Sequence, residues 1–174
     1  MPDKLLLVYV DTCVYLDLIT RNEDPHEDTG EPRWQIARSL FEAVDRGAIR
    51  LVASPLIEAE VLCNGRTQER QERSEQVAAR LRTWFTSPET LWVDIDRFAA
   101  REAARISERY GSLHEGPRRF SAADALHLAA AIRANTDYFM THDRGYPVKQ
   151  NIEGVRVQRP SVVWNETLFD TLEG

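Results

Sequence analysis

Six consecutive apolar residues, Leu5 to Val10, run without interruption into an acid, Asp11. A half-exposed strand would alternate apolar and polar residues. An amphipathic helix would space them three and four apart. Six residues are also too few for a signal-peptide core or a membrane span. What remains is a short strand covered on both faces, as in the middle of a parallel sheet whose crossover helices lie on either side. The rest of the chain repeats the pattern. Ile49 to Ala53 is a second such run, Leu91 to Ile95 a weaker third, and Asp137 to Thr141 a fourth.

Helical stretches separate these runs. Thr12 to Ile19 reads as a short helix. Trp34 to Asp45 carries Ile36, Ala37, Leu40, Phe41 and Val44 at helical spacing and ends near Gly47. Ser54-Pro55 forms an N-cap and first-turn pair for a helix through Cys63. Arg66 to Phe85 is predicted as a long charged helix with Leu81, Trp84 and Phe85 on its apolar stripe. Asp96 to Tyr110 is another helix, and Ser121 to Ala134 is Ala-rich, which permits close packing on a sheet. Thr20 to Arg33 is a polar loop of mobile character, and Gly111 to Phe120 a second loop. Val155 to Val157 reads as a short edge strand stopped by Pro160, and Trp164 to Leu172 as a closing helix. Trp34, Trp84 and Trp92 fall in apolar stripes and are expected in the core or at a dimer contact.

The alternation predicts a three-layer α/β/α sandwich around a mainly parallel sheet of four or five strands. A length of 174 residues suits a single domain over 1–174. Two cysteines, Cys13 and Cys63, give no disulfide framework and no Cys/His cluster, so the expected setting is a reducing cytoplasm and zinc is disfavoured. A net charge of −6 runs against a nucleic-acid partner in bulk. A cluster of carboxylates would inflate that count, however, and a bound cation inverts the local field. Of the 22 basic residues only Lys4 and Lys149 are lysines, which leaves mostly arginine, the better phosphate partner.

This architecture hosts many functions, so function must come from particular side chains. Four acids stand where apolar runs give way to helices. Asp11 follows the first strand, and Asp143 the fourth. Glu60 lies six residues past Ser54-Pro55. Asp124 lies in the first turn of the Ala-rich helix. In a parallel sheet the carboxyl ends of the strands share one edge, so acids more than 130 residues apart in sequence would converge there. Each has a local alternative. Asp11 can cap its helix, Asp124 can close a capping box with Ser121, Asp143 can form a turn with Gly145, and Glu60 can face solvent. Together they would repel one another, and a fold keeps such a group with a cation among them or with shifted pKa values. Hard oxygen donors suit Mg²⁺ or Mn²⁺. Glu58 and Glu60 compete for one place, since residues two apart on a helix point about 200° apart.

Taken in order, Val10-Asp11-Thr12-Cys13, Ser54 to Leu62, Ser121 to Ala129 and Thr141-His142-Asp143 resemble the motifs of PIN-domain ribonucleases, most closely the toxin of a VapBC-type toxin–antitoxin pair. The resemblance runs from Lys4 to about Leu168. It implies Glu60 rather than Glu58. It also implies that Asp11, Glu60, Asp124 and Asp143 hold one or two Mg²⁺ or Mn²⁺ ions, with Thr141 hydrogen-bonded inside the cluster. Metal-activated water would then hydrolyse RNA, leaving a 3′-hydroxyl and a 5′-phosphate. A cognate antitoxin and a homodimer are the implied partners, with no membrane association. A nuclease of RNA processing, or a PIN-fold binding module without activity, are the alternatives. Two stretches depart from the compact family form, Thr20 to Arg33 and Arg66 to Glu75.

Other groups carry less. Arg118 and Arg119 could hold RNA phosphates. His127 reads as a packed helix residue rather than a neighbour of the acids, and alternation turns His142 away from them. A receiver domain would need paired acids after the first strand and a late lysine. A haloacid-dehalogenase-type phosphatase would need a second Asp at position 13, where Cys13 stands.

Overall fold

The computed structural model describes residues 5–64, 71–114 and 120–163. Its elements alternate as the apolar runs require: β1 (Leu6–Val10), α1 (Thr12–Thr20), α2 (Arg33–Asp45), β2 (Ile49–Ala53), α3 (Pro55–Asn64), α4 (Gln71–Thr86), β3 (Leu91–Trp92), α5 (Arg97–Tyr110), α6 (Ala122–Arg133), β4 (Tyr138–Met140), β5 (Asn151–Ile152) and β6 (Val155–Gln158). The sheet order is β3-β2-β1-β4-β6-β5, parallel throughout except for β5 against β6. Val8, Tyr9 and Val10 are fully buried, as expected of a central strand covered on both faces.

Helices flank this sheet. Against one face lies α6, where Tyr9 and Phe139 stack with ring centroids 5.3 Å apart and Tyr9 meets His127. Helix α5 packs on α6, and α1 packs on α2, α3 and α4. Tyr15, Phe41 and Trp84 join α1, α2 and α4 through tilted and stacked rings at 4.8 and 4.3 Å.

The structure corrects several expectations. Among the described residues the sheet has six strands, because Glu153 and Gly154, both with positive φ (52° and 96°), turn a tight hairpin that adds β5. β6 therefore lies between β4 and β5 and is not an edge. β3 stops at Trp92, since its partner β2 ends where Ser54-Pro55 begins α3. Of the tryptophans, Trp84 is core. Trp92 is exposed, and Trp34 lies half-buried at the surface with its indole N–H on Glu23 and Arg21 over its ring. The start of the predicted Arg66 helix, the Trp164 helix and the pair Arg118 and Arg119 lie outside the described residues.

The loop expected to be mobile over Thr20 to Arg33 lies between α1 and α2, and its stretch from Asn22 to Pro32 is tied down at several points. Asn22 donates to Asp17 at 2.8 Å, and His26 donates through Nε2 to the Pro160 carbonyl at 2.8 Å. That donor assignment follows because Nδ1 accepts from the Asp28 and Thr29 amides. Glu27 receives Arg144 on one oxygen and Arg159 on the other, each at 2.8 Å. Arg159 is buried and also reaches the carbonyls of Thr141 and Asp143. A polar loop is thus held by a buried cation that needs a counter-charge.

Candidate active site

The chain runs outward from β1 to β2 and β3, then returns to β4 on the other side of β1. Their carboxyl ends open a crevice at the point where the winding direction reverses, which is where open α/β sheets bind ligands. Asp11 leaves β1 there, with its amide on Met140 O at 3.0 Å, extending the pairing of β1 with β4. Thr141 and Asp143 leave β4 beside it. Ser54 leaves β2, and Glu60 follows on α3.

A line of hydrogen bonds joins these residues. Thr141 Oγ1, fully buried, donates to Asp11 Oδ2 at 2.7 Å and accepts from the Asp143 amide at 2.9 Å. Cys13 Sγ approaches the same carboxylate oxygen at 3.3 Å. Asp11 Oδ1 accepts from Thr12 N at 2.8 Å, and Thr12 Oγ1 donates to Glu60 Oε2 at 2.5 Å. Glu60 Oε2 also meets His127 Nε2 at 3.1 Å. Asp11, Thr141, Asp143 and Glu60 are therefore gathered from residues up to 132 positions apart in sequence.

Asp124 stands one turn before His127 on α6, buried, with one oxygen accepting the Ser121 amide at 2.8 Å while Ser121 Oγ accepts the Asp124 amide. This is a complete capping box. Asp11 likewise caps α1, and Asp143 Oδ1 accepts from Gly145 N at 2.7 Å. The local roles open to Asp11, Asp124 and Asp143 are thus real. They also fix these carboxylates in direction. Glu58, on the same helix as Glu60, is half-buried.

Burial pushes the Asp11 carboxyl above its ordinary range. Hydrogen bonds from Thr141, Cys13 and Thr12 oppose the shift. Tyr146, three residues past Asp143, is fully buried, and its hydroxyl finds no hydrogen-bond partner among the described residues. Burial raises this phenol well above its usual value, and the charges of Asp11 and Asp124 add to the rise. Those two carboxylates therefore act on one orphaned hydroxyl.

Among the described residues no three acid, histidine or cysteine side chains form a ready-made cation site. The donor set still fits a hard divalent ion in kind. It is rich in carboxylate and hydroxyl oxygen, it holds a buried carboxylate whose charge is disfavoured, and it includes a buried hydroxyl with a polar valence to fill.

From the sequence His127 reads as packed rather than neighbouring the acids, and Tyr146 escapes notice. His127 is packed, as expected, but it also touches Glu60 and is a neighbour of the site. Its signal was Tyr9, a phenol in an otherwise apolar strand whose hydroxyl must find a partner. Tyr146 carried no signal beyond its nearness to Asp143. His142 turns from the acids. It makes an edge contact with His26 and lies 3.4 Å from Asp17 with neither atom in hydrogen-bonding geometry.

The sequence model of the PIN domain family matches residues 8–151, most of the chain, and the chain belongs to that family. Solved structures share its fold. VapC20 of Mycobacterium tuberculosis, a Sarcin-Ricin loop cleaving toxin, is 15% identical with a TM-score of 0.51 over 78% of this chain and 89% of that one. VapBC2 from Rickettsia felis, bound to a DNA fragment from its promoter, is 12% identical with a TM-score of 0.57 over 92% and 100%. FitAcB from Neisseria gonorrhoeae is 14% identical with a TM-score of 0.55 over 88% and 97%. No curated protein sequence matches the chain.

Proposed function

We propose that this PIN-domain protein is a divalent-metal-dependent ribonuclease and the toxin of a toxin–antitoxin pair. The observation that carries the reading is the 2.7 Å bond from Thr141 to Asp11. It draws the first and last motifs of the chain onto one sheet edge within a family fold. Asp11, Glu60, Asp124 and Asp143 would hold Mg²⁺ or Mn²⁺, as one or two ions. Such an ion, when bound, supplies acidity to water and charge stabilisation to the phosphate.

The chain's own residues do the positioning. Thr141 and the amide of Thr12 hold Asp11 with both oxygens engaged. The capping box fixes Asp124. Thr12 holds Glu60. RNA phosphates would meet Arg118 and Arg119. The toxin reading leans on the similarity to VapC20, itself a toxin. It also implies a protein partner that restrains the enzyme. Such a partner would place a cationic side chain, most simply arginine, among the acids, where a rigid set of carboxylates can pair with it. A homodimer belongs to the same reading. Among the described residues no helix is long and apolar enough to cross a membrane.

The test uses the full chain with labelled RNA and Mn²⁺. Wild type should cleave, excess chelator should stop it, and Asp11→Asn or Asp143→Asn should lose at least about 100-fold while folded, since even outer-shell partners of metal sites cost 10–100-fold. Full activity in either variant or in chelator overturns the metal site. Expression should slow growth, and co-expression of the neighbouring upstream gene should relieve it. Harmless expression of an active enzyme would favour RNA processing instead.

A further inference from the structure

Beneath the acids lies a buried polar chain that the proposed reaction does not use. Ser54 Oγ and Tyr9 OH are 2.9 Å apart, and Tyr9 OH and His127 Nδ1 are also 2.9 Å apart. The other ring nitrogen, Nε2, meets Glu60 at 3.1 Å. Ser54 and Tyr9 are fully buried, His127 is 2% exposed, and the Glu60 side chain is 31% exposed. Three fixed residues therefore lead to one movable carboxylate.

We infer that His127 is a positioning residue for Glu60, locked in one tautomer by Tyr9 and Ser54. This rests on the reading of Glu60 as a site carboxylate. With the ring neutral, the direction of every hydrogen bond follows from donor capacity. An ionised carboxylate only accepts, so Nε2 carries the hydrogen. In a neutral imidazole Nδ1 is then the acceptor, so Tyr9 gives its single proton to it, and Ser54 donates to the Tyr9 oxygen. The chain runs one way, from Ser54 to Tyr9 to His127 to Glu60. Its anchor is rigid, since Tyr9 belongs to the central strand and stacks on Phe139 with the rings 10° from parallel.

Glu60 needs such a hold. A glutamate has several rotatable bonds and loses much rotamer freedom when fixed. Its Oε2 receives Thr12 from α1 and His127 from α6, which pins a residue of α3 from two other elements. His127 in turn lies three residues after Asp124, so the helix that presents one acid also orients another. Such second-layer partners fix ligand direction.

The experiment compares His127→Ala, His127→Gln and His127→Asn in the full chain. A glutamine amide nitrogen reaches the place of Nε2, whereas that of asparagine reaches only the place of Nδ1. Mn²⁺ affinity is read by the paramagnetic resonance of free ion, and kcat and KM on a fluorogenic RNA. His127→Ala should weaken Mn²⁺ binding and lower kcat by about 10- to 100-fold with KM little changed. Glutamine should recover most of this and asparagine should not. In a Glu60→Gln background His127→Ala should add nothing. A long-range proton–nitrogen spectrum should show His127 as the Nε2–H tautomer, with that resonance moved by Glu60→Gln. Equal rescue by glutamine and asparagine, wild-type affinity and kcat in His127→Ala, or an Nδ1–H ring would overturn the inference. A wild type that neither binds Mn²⁺ nor cleaves RNA would overturn the proposed function. The tautomer and its response to Glu60→Gln would still decide whether His127 holds Glu60.

Discussion

Replacing Thr141 by valine keeps the shape of the side chain and removes one oxygen, and that oxygen links two acids. It is fully buried, donates to Asp11 at 2.7 Å and accepts from the Asp143 amide at 2.9 Å. Loss of a hydrogen bond to a charged group costs about 1.5–3 kcal/mol, and a buried donor left without an acceptor about 1–3 kcal/mol. Asp143 is half-buried, so water can recover part of the second loss. The expected destabilisation of the metal-free protein is therefore about 2–4 kcal/mol. Thr141→Ser keeps both bonds and loses a methyl worth about 1 kcal/mol. Urea unfolding in chelator reads the difference as a fall in midpoint at constant slope. The valine variant also removes one of the bonds that oppose the rise of the Asp11 carboxyl, so that carboxyl should rise further, at roughly one pH unit per 1.4 kcal/mol. RNA cleavage should drop sharply in the valine variant and little in the serine variant. Equal midpoints for the two, or a valine variant as stable as wild type, would show that the hydroxyl does not tie the motifs together.

Three further outcomes are expected. Glu60→Gln should lose RNA cleavage while Glu58→Gln keeps most of it, measured side by side on one substrate; the reverse would place the wrong face of α3 toward the site. Burial, with the charges of Arg33, His26 and Arg159, pushes His142 down to about 3. The unfolded chain, titrating near 6.5, therefore takes up a proton that the fold refuses, and stability falls as pH drops from 6.5 toward 3, by up to about 2 kcal/mol at pH 5. Asp17, raised by burial, works in the opposite sense, so the check is the difference between wild type and His142→Gln, which should be less acid-sensitive. Glu27→Ala should destabilise by about 2–3 kcal/mol, less than for a fully buried pair, and open the 22–32 loop to limited proteolysis; an unchanged digestion pattern would mean that Glu27 does not hold the loop.

How much of this could be read from residues alone depended on range. β1 and β2 were legible to within a residue, because the apolar run closed by Asp11, and Ile49 to Ala53, apolar but for Arg50 and closed by Ser54-Pro55, leave little choice. β5 was not, since two residues have no period and exist as a strand only through the Glu153-Gly154 turn. The order of the Asn22 to Pro32 loop depends on Arg159 and Pro160, over 120 residues away, and no local composition encodes that contact. The site divides in the same way. Strand-end acids follow from topology, whereas His127 required knowing that Tyr9 points toward α6, a matter of register that an all-apolar run conceals.

Arg159 sits almost wholly inside the protein, and Glu27 from the 22–32 loop is its carboxylate partner at 2.8 Å. This makes the length of the connection between α1 and α2 and the identity of residue 159 a single heritable trait. A descendant that trimmed the loop but kept the arginine would take from it the Glu27 carboxylate while keeping the carbonyls of Thr141 and Asp143 beside it. One that replaced the arginine but kept the loop would leave Glu27 facing only Arg144. Neither half-step is neutral, so the two should appear and vanish as a pair across related chains, each marking the other's history.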